Sequence, residues 1–389
     1  MLNIDRYLER TAARDAQAAQ AAAAGAGDVA LRIRGQVFTG WLQSEVERSI
    51  ETIAGTFSVP ISYDWRKSPP VARQDEVQVL IGGVVVITGY VLGAEPFYKA
   101  NDVGLRIVGR DRAGDAVKCS ALHKGGQWRN VRIDTIISDL FAPYGIQVTV
   151  DADLGDKIAD FKLAHGEPML EAASRAARLR GCLVMSDGAG GVAITQAGKR
   201  LSAGRIVGGW RYANDFGGGN VIEMQGQGTD ENRHSSYTAF GQAKASSQAD
   251  FETARQLKAQ AKDPEIRRHT PLVINADGST TAKDLQTLVD HTARVRRGQA
   301  YAYHYKAEGW TVGKTGKPWQ INERVPVYDD VAGYHGEELL IVSTKFSCDL
   351  KEGRVTDMVL KPVDAYTQAP LKSKQKKGWA GGNQKGKGK

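Results

Sequence analysis

Residues Asp75 to Asp111 read DEVQVLIGGVVVITGYVLGAEPFYKANDVGLRIVGRD. Val77, Val79 and Ile81 alternate with other residues, the period of a strand with one buried face. Gly82-Gly83 supplies a turn, because glycine takes positive φ without a Cβ clash. Val84 to Val91 runs back as a mostly apolar strand. Lys99 to Asp102 marks a second turn, and Leu105-Arg106-Ile107-Val108 a third strand. Three consecutive antiparallel strands make a meander, which confines this part of the chain to a barrel or a sandwich. The stretch holds no catalytic pattern and reads as scaffold.

The rest of the chain falls into segments around it. Residues 1–27 carry a weak apolar stripe (Leu2, Ile4, Tyr7, Leu8) and an alanine-rich run, read as a helical or flexible extension. Residues 28–118 read as a first antiparallel β-barrel that includes the meander. Residues 119–215 read as a small α+β domain. Within it, Ile133, Ile136, Ile137 and Leu140 share one helical face. Pro168 opens a second helix that Gly181 closes, and Asp187 to Gly191 turns a β-hairpin. Residues 216–366 read as a second β-barrel with helices inserted at about 246–297. One of these is expected over 246–263, through Phe251, Ala254 and Leu257, ended by Pro264. The other is expected from Thr281 to Arg297, with Thr281 and Asp284 as a capping pair and Gly298 as its stop. Residues 367–389, rich in lysine and glycine, cannot bury enough surface to order themselves. The expected class is α+β and β-rich: two similar antiparallel β-barrels with smaller α+β and helical segments between them.

Charge and composition exclude several classes. Formal net charge is +8, but residues 371–389 hold seven lysines and no acid, leaving 45 basic against 44 acidic side chains elsewhere. The basicity belongs to a tail, whereas a nucleic-acid groove would put it on the body. No apolar run approaches the ~18 residues of a membrane helix, so no membrane insertion is expected. The N-terminus lacks the apolar core of a secretory signal, so synthesis and first assembly are expected in the cytoplasm. Cys119, Cys182 and Cys348 lie far apart and read as reduced, mostly buried thiols.

Catalytic patterns are absent. The chain has no GxSxG, HExxH, P-loop or calcium-loop pattern, and Gly226-Gln227-Gly228 does not complete GxGxxG. His123, His165, His234, His269, His291, His304 and His335 are scattered and read as surface or packing residues. Asp329-Asp330 and Glu337-Glu338 read as a solvated acidic loop. The tryptophans that follow strands read as barrel-edge anchors, and Trp379 is the one large apolar side chain of the tail. No catalytic, cofactor-binding or metal-binding residue is nominated, no cofactor is expected, and the chain is not read as an enzyme.

A second meander echoes the first. Arg324-Val325-Pro326-Val327 matches Glu76 to Val79, Leu340 to Ser343 matches Val85 to Thr88, and Asp357 to Leu360 matches Leu105 to Val108. Each set follows a Gly-Trp strand end, Gly40-Trp41 or Gly309-Trp310. The order is that of a duplicated module.

An ordered series of short motifs completes the reading. It comprises Gly40-Trp41, Glu47-Arg48-Ser49-Ile50-Glu51, Phe57, Gly82-Gly83, Thr88-Gly89-Tyr90 and Gly109-Arg110-Asp111. It continues through Trp128-Arg129-Asn130, Pro143-Tyr144-Gly145-Ile146, Gly181-Cys182-Leu183, Pro318-Trp319-Gln320-Ile321-Asn322, Val325-Pro326-Val327, Leu339-Leu340-Ile341-Val342 and Gly353-Arg354. Over about 28–365 this series resembles the baseplate hub proteins of Mu-type contractile phages, the Mu tail protein P family, similar in architecture to the T4 hub. The resemblance implies a homotrimer whose duplicated barrels form a ring. Such a ring joins a hexameric tail tube to a trimeric central spike and leaves a channel for DNA. It implies contacts with the spike, the tube and the baseplate wedge proteins, and a place in the virion tail baseplate. Two other readings remain open from sequence: a tail-associated enzyme that degrades cell-wall polysaccharide, and a nucleic-acid-binding module acting through the basic C-terminal tail. The related type VI secretion spike is disfavoured, because no spike domain follows residue 365.

Overall fold

The computed structural model describes residues 29–39, 43–61, 66, 69–99, 102–242, 256–279, 282–313, 315–349 and 351–367. The N-terminal extension, the lysine tail with Trp379, Gly40-Trp41, Trp65 and Thr281 of the expected cap lie outside the described residues.

The first strand set comprises β1 (Val29–Ile33), β2 (Gln36–Phe38), β3 (Ser44–Ser49), β4 (Thr56–Ile61), β5 (Glu76–Ile81), β6 (Val84–Lys99) and β7 (Asp102–Asp111). The meander forms as its periodicity dictates: β5 pairs with β6 and β6 with β7, all antiparallel. Val77, Val79 and Ile81 are fully buried. Gly89 lies where β6 and β7 cross closely, since a Cβ there would sit 1.9 Å from the Arg110 carbonyl oxygen.

The middle of the chain holds α1 (Asp115–Lys118), β8 (Gln127–Val131), α2 (Ile133–Phe141), β9 (Val148–Asp151), β10 (Ile158–Lys162), α3 (Met169–Arg178), β11 (Leu183–Ser186) and β12 (Val192–Thr195). The stripe on α2 is buried as its spacing predicts, against Ala172, Ala173, Ala176 and Ala177 of α3 in one apolar cluster. The β11–β12 hairpin turns at Asp187 to Gly191, where Asp187 accepts from the N–H groups of Ala189 and Gly191 at 2.7 and 2.9 Å.

The second half holds β13 (Arg200–Leu201), β14 (Ile206–Val207), α4 (Trp210–Asp215), β15 (Val221–Gly228), β16 (Ser236–Gln242), β17 (Gln256–Lys262), β18 (Pro271–Ser279), α5 (Ala282–Gln299), β19 (Tyr301–Glu308), β20 (Glu323–Asp329), β21 (Tyr334–Asp349) and β22 (Gly353–Pro362). The meander β20–β21–β22 repeats β5–β6–β7 closely. Both middle strands have 16 residues and both last strands 10. Each middle strand carries two bulges at matching places, Val86 and Leu92 in β6, Gly336 and Val342 in β21. Equivalent backbone bonds precede them: Gln74 N–H donates to Val91 and Asn322 N–H to Ile341, with positive φ at both Gln74 and Asn322. A 3₁₀ turn follows each meander, at 112–114 and 363–365. In this register Tyr90, not Val85, is the counterpart of Leu340, and Thr356, not Asp357, that of Leu105, so the sequence alignment was displaced in the middle strands and by one residue in the last. Apolar runs match one another at several offsets; the bulges fix a single one.

The two sets are continuous. β3 pairs antiparallel with β21, joining them into one 14-stranded sheet ordered β15-β19-β22-β21-β3-β4-β7-β6-β5-β1-β2, with β20 beside β21 and β13 and β14 beside β20. A single apolar core, from Val29 and Leu31 to Met358 and Leu360, serves both. The sets differ at the outer flank of the meander. β5 is covered by β1, antiparallel, and β20 by β13 and β14, parallel.

Four sequence expectations are corrected. Residues 256–262 form strand β17, not helix, and 243–255 lie outside the described residues. Leu257, Ala259 and Ala261 alternate with Lys258, Gln260 and Lys262, and this period-2 face packs on Leu285, Val289 and Ala293 of α5. The partners β16 and β18 went unseen in the sequence; their pairing with each other is parallel and needs tertiary context. Gly298 lies inside α5 instead of ending it. A Cβ there would meet the Ala365 backbone nitrogen at 2.5 Å, so close approach selects this glycine. Trp310 and Trp319 are core residues at 4% and 2% exposure, not edge anchors.

Candidate functional site

The surfaces with unused bonding capacity are strand edges, best read against the edge that is filled. In the β21–β3 seam, Ser343 to Cys348 pair with Ser49 to Ser44. Val46 and Phe346, opposite each other, are fully buried, and Lys345 bonds Glu45 at 3.2 Å on the outer face. The corresponding segment of the first set is Gly93 to Tyr98 of β6. It pairs with β7 on one side, and β5 reaches only to Tyr90 on the other. The strand equivalent to β3 is β15, which pairs with β19 and ends the sheet. Ile222, Leu92 and Tyr98, on these two edges, are exposed by 57, 50 and 81%.

One face of the sheet also carries a row of charge. Glu223, Lys306, Asp357, Lys345 and Glu47 line a concavity of about 370 Å³ across β15, β19, β22, β21 and β3. Lys306 bonds Glu352 at 3.0 Å and approaches Glu223 at 3.8 Å. Signs alternate along the row, three acidic side chains with two lysines between them.

A buried ionic junction fastens three parts of the chain. Arg48, on the inward face of β3 with Ser44 and Val46, donates to Gln320 Oε1 at 3.1 Å and to the Ser186 carbonyl at 3.4 Å. Ser186 Oγ donates to Asp111 Oδ2 at 2.6 Å, and Asp111 also accepts from the Ala113 N–H. Burial pulls the Arg48 guanidinium below its ordinary range, against the charges of Asp111 and Asp187. Burial pushes the Asp111 carboxyl up, against Ser186, Ala113 and Arg48. The β11–β12 turn docks here: a Cβ on Gly188, at φ +77°, would sit 2.6 Å from the Val86 carbonyl oxygen. Sequence reasoning did not single out Arg48 in this role. Its signal was an arginine in phase with Ser44 and Val46, on the face that alternation assigns to the interior.

The other residues weighed from sequence are placed as follows. Asp329 is buried, not solvated: it accepts from the Tyr305 hydroxyl at 3.2 Å and from the N–H groups of Val331 and Ala332. Burial, reinforced by Asp329, raises the Tyr305 hydroxyl well above its ordinary pKa. Glu338 bonds Arg324 and Glu337 accepts from the His335 N–H. His123 stacks on Trp128 with centroids 3.9 Å apart, His335 bonds the Tyr212 hydroxyl, and His291 bonds the Thr367 carbonyl. Among the described residues no group of three or more His, Cys, Asp or Glu is placed to hold a metal ion, and no helix is long and apolar enough to cross a membrane.

The duplicated β-meander sheet with an α+β unit docked beside it is a structural scaffold, and similar proteins place it among phage tail proteins. Residues 28–111 match the family model "Mu phage baseplate assembly protein GpP-like, N-terminal", and 113–196 match "Baseplate hub protein gp44-like, second domain". The chain is similar to the baseplate hub protein gp44 of Escherichia phage Mu, 31% identical over 363 residues, covering 90% of this chain and 91% of that protein. It therefore belongs to the Mu-like baseplate hub family. Among solved structures it is similar to the 43 kDa tail protein of prophage MuSo2 from Shewanella oneidensis, with TM-score 0.74, 30% identity and coverage of 88% of this chain and 100% of that one. The fold is shared with a tail protein of Neisseria meningitidis MC58, with TM-score 0.72, 20% identity and coverage of 88% and 98%. It extends to the E. coli c3393 component of the type VI secretion system, with TM-score 0.51, 9% identity and coverage of 88% and 80%.

Proposed function

We propose that this chain is the structural hub of a contractile phage or phage-like baseplate, a homotrimeric ring that joins the hexameric tail tube to the trimeric central spike. The observation that carries the proposal is the shared register of the two strand sets. Two equivalent modules per chain, taken three times, give a six-fold face on a three-fold body, which is what a junction between a hexamer and a trimer requires. Residues 28–118 and 216–366, joined by β13 and β14, supply the ring modules, and the rest of 119–215 the α+β unit outside it. The ring leaves a channel for DNA. The near-neutral charge row suits a wall that a polyanion must slide past without being held. Spike, tube and wedge proteins are its partners, the virion baseplate its location and the bacterial host cytoplasm its place of assembly. The role is mechanical and not enzymatic. Native mass spectrometry of the full chain, with electron microscopy of the particles, tests the proposal. A trimer that images as a ring is expected. A strict monomer with no ring, or muralytic activity on peptidoglycan, would overturn it.

A further inference from the structure

β3 and β4 are joined by residues 50–55 alone, whereas their counterparts β15 and β19 are separated by 229–300, which hold β16, β17, β18 and α5. The first set folds without such an insertion, so pairing in the main sheet does not call for it. The insertion is a sheet ordered β17-β16-β18. Its inner face, with Tyr237, Ala239 and Ala259, is buried on Leu285, Val289 and Ala293 of α5. By alternation the outer face carries the remaining side chains. Lys258, Phe240 and Asn275 form one row across it, Gln260, Thr238 and Val273 the next, and Lys262 begins a third. Val273 is 60% exposed. The charge of this face has one sign. Lys258 and Lys262 are exposed on it, and Arg267 and Arg268 are exposed in the β17–β18 connection at the Lys262 end. None of the four forms an ion pair among the described residues. The acids of that connection are spent inward: Asp263 is buried on Arg233 and Arg297, and Glu265 bonds Arg233 at 2.6 Å. The open face of the main sheet is built the other way, with acids and lysines alternating. A face that meets only water gains nothing by gathering like charges, which repel one another.

We propose that the outer face of the β16–β18 sheet docks an acidic face of a different protein, with Val273 as its apolar contact and Lys258, Lys262, Arg267 and Arg268 meeting carboxylates. Charge complementarity selects an acidic occupant, since the face offers cations and neutral polar groups and no acid. It also favours protein over nucleic acid. Phe240 is the one aromatic side chain of the face, and the Lys258 ammonium stands over its ring, 5.9 Å from the centroid. Single-stranded nucleic acid is held by stacking successive bases on open aromatic rings, and no such row exists here. Lys258 and Lys262, four residues apart on one strand, are about 13 Å apart at ~3.3 Å per residue, a sparse match to a phosphate chain. The face is also preformed. α5 backs it, and the buried Arg233–Asp263 pair, joined by Arg297 of α5, ties down the connection that carries Arg267 and Arg268. Docking therefore orders little that is not already ordered. Exposed cations of this kind steer and select a partner more than they tighten it, and salt screens them within about 10 Å at 0.1 M. The docking face does not depend on the ring, because the insertion lies outside the duplicated strands.

The test uses the full chain and, as probe, a peptide of alternating glutamate and alanine. Carbodiimide joins lysine amines to glutamate carboxyls that rest against them, and peptide mapping reads each lysine separately, so the basic tail does not mask the sheet. Lys258 and Lys262 are expected to link at least tenfold more than Lys118 and Lys124, exposed lysines of the α+β unit, and the excess is expected to fall as salt is raised. Arg267→Glu with Arg268→Glu is expected to lower linkage at Lys262 at least fivefold while the unfolding midpoint stays unchanged, because both side chains are exposed. Equal linkage at all four lysines, or linkage at Lys262 that ignores the arginine variant, overturns the docking face. Displacement of the peptide by single-stranded oligothymidylate at lower concentration than by unlabelled peptide makes the occupant a nucleic acid and overturns the protein partner. Links from Lys258 or Lys262 to acids of another copy, formed without added peptide, make the occupant a second copy and overturn it as well. A trimeric ring in native mass spectra and micrographs is compatible with every one of these results, so the failure of this face leaves the hub reading standing.

Discussion

The same edge occurs twice in this molecule, once sealed and once open. Along β21 it is covered by β3, and the side chains at its centre, Val46 and Phe346, have no exposure at all. Along β6 the corresponding residues reach solvent, Tyr98 by 81%. Strand geometry is alike in both places, down to the bulges. The difference is connectivity: the chain can bring β3 to its own second set, but β15 has no first set of its own left to meet. One of two equivalent seams is thus filled and the other, among the described residues, is not.

Breaking the sealed seam is expected to have the largest effect. Phe346→Ala removes a fully buried ring opposite Val46 and is expected to cost about 3–5 kcal/mol by denaturant unfolding, the range for buried aromatic truncations. An unchanged midpoint would mean that the seam is not part of the core.

Next is the ionic junction that holds the α+β unit to both sets. Arg48→Met leaves Asp111 buried without its cationic neighbour, expected to cost about 3 kcal/mol. Adding Asp111→Asn is expected to recover part of this, because the carboxyl then no longer pays for burial. The pH sign follows from the raised carboxyl: the folded state holds its proton more tightly than the unfolded chain. Asp111 therefore opposes folding increasingly as pH rises from the ordinary carboxylate range through its raised pKa. In Asp111→Asn this part of the pH dependence of unfolding is expected to vanish.

Gly298→Ala gains helix propensity of about 1 kcal/mol but drives a methyl into the backbone at Ala365. A net loss of about 1–2 kcal/mol is expected from overpacking, read as a lower melting temperature; a rise would show that 363–365 can move aside.

The outlying sheet of β16, β17 and β18 makes an instructive contrast with the Arg48 junction. Arg233 and Asp263, with side chains 2% and 0% exposed, bond at 2.9 Å. Burial alone would raise Asp263, but Arg233, the Glu265 N–H and Arg297 outweigh it and hold it below the usual carboxylate range. Its contribution is present above the unfolded carboxylate pKa and is lost as pH falls through the lowered one. Acidification is thus expected to open this sheet before the main core, as faster amide exchange in β16. Asp263→Asn should remove the acid step.

The smallest effect on the isolated chain is expected at the open edge. Tyr98→Ala should leave the unfolding midpoint within about 0.5 kcal/mol, because its side chain is 81% exposed; a larger loss would show that this edge is covered within the chain.

Much of this was legible in the sequence for a physical reason. Val77, Val79 and Ile81 alternate because one face is buried, and Ile133 to Leu140 recur at helical spacing because one stripe is. Those patterns are local, as are the glycine turns, and they sufficed for the β-rich α+β class, the helix pair of the middle unit and the existence of a repeat. The failures were equally physical. Gln256 to Lys262 has a short apolar period compatible with either state, and only the cover of α5 makes it a strand. Gly298 looked like a stop because glycine has two uses, and the approach of Ala365 selects the second. Alternation put Arg48 on the inward face with Ser44 and Val46, but what it bonds was not legible, because its partners come from residues 186 and 320, far along the chain.

By itself, then, the sequence determined most of the strands and helices with one apolar face, the β16–β18 sheet excepted, and that a meander occurs twice. Only the tertiary structure decided which edges meet. Pairing rests mainly on backbone groups that every residue except proline carries alike, so side-chain pattern ranks one partner strand above another only weakly. The bulges at Val86, Leu92, Gly336 and Val342 fix the register, and among the described residues the path of the chain leaves one edge of β15 and one edge of Gly93 to Tyr98 without a partner strand.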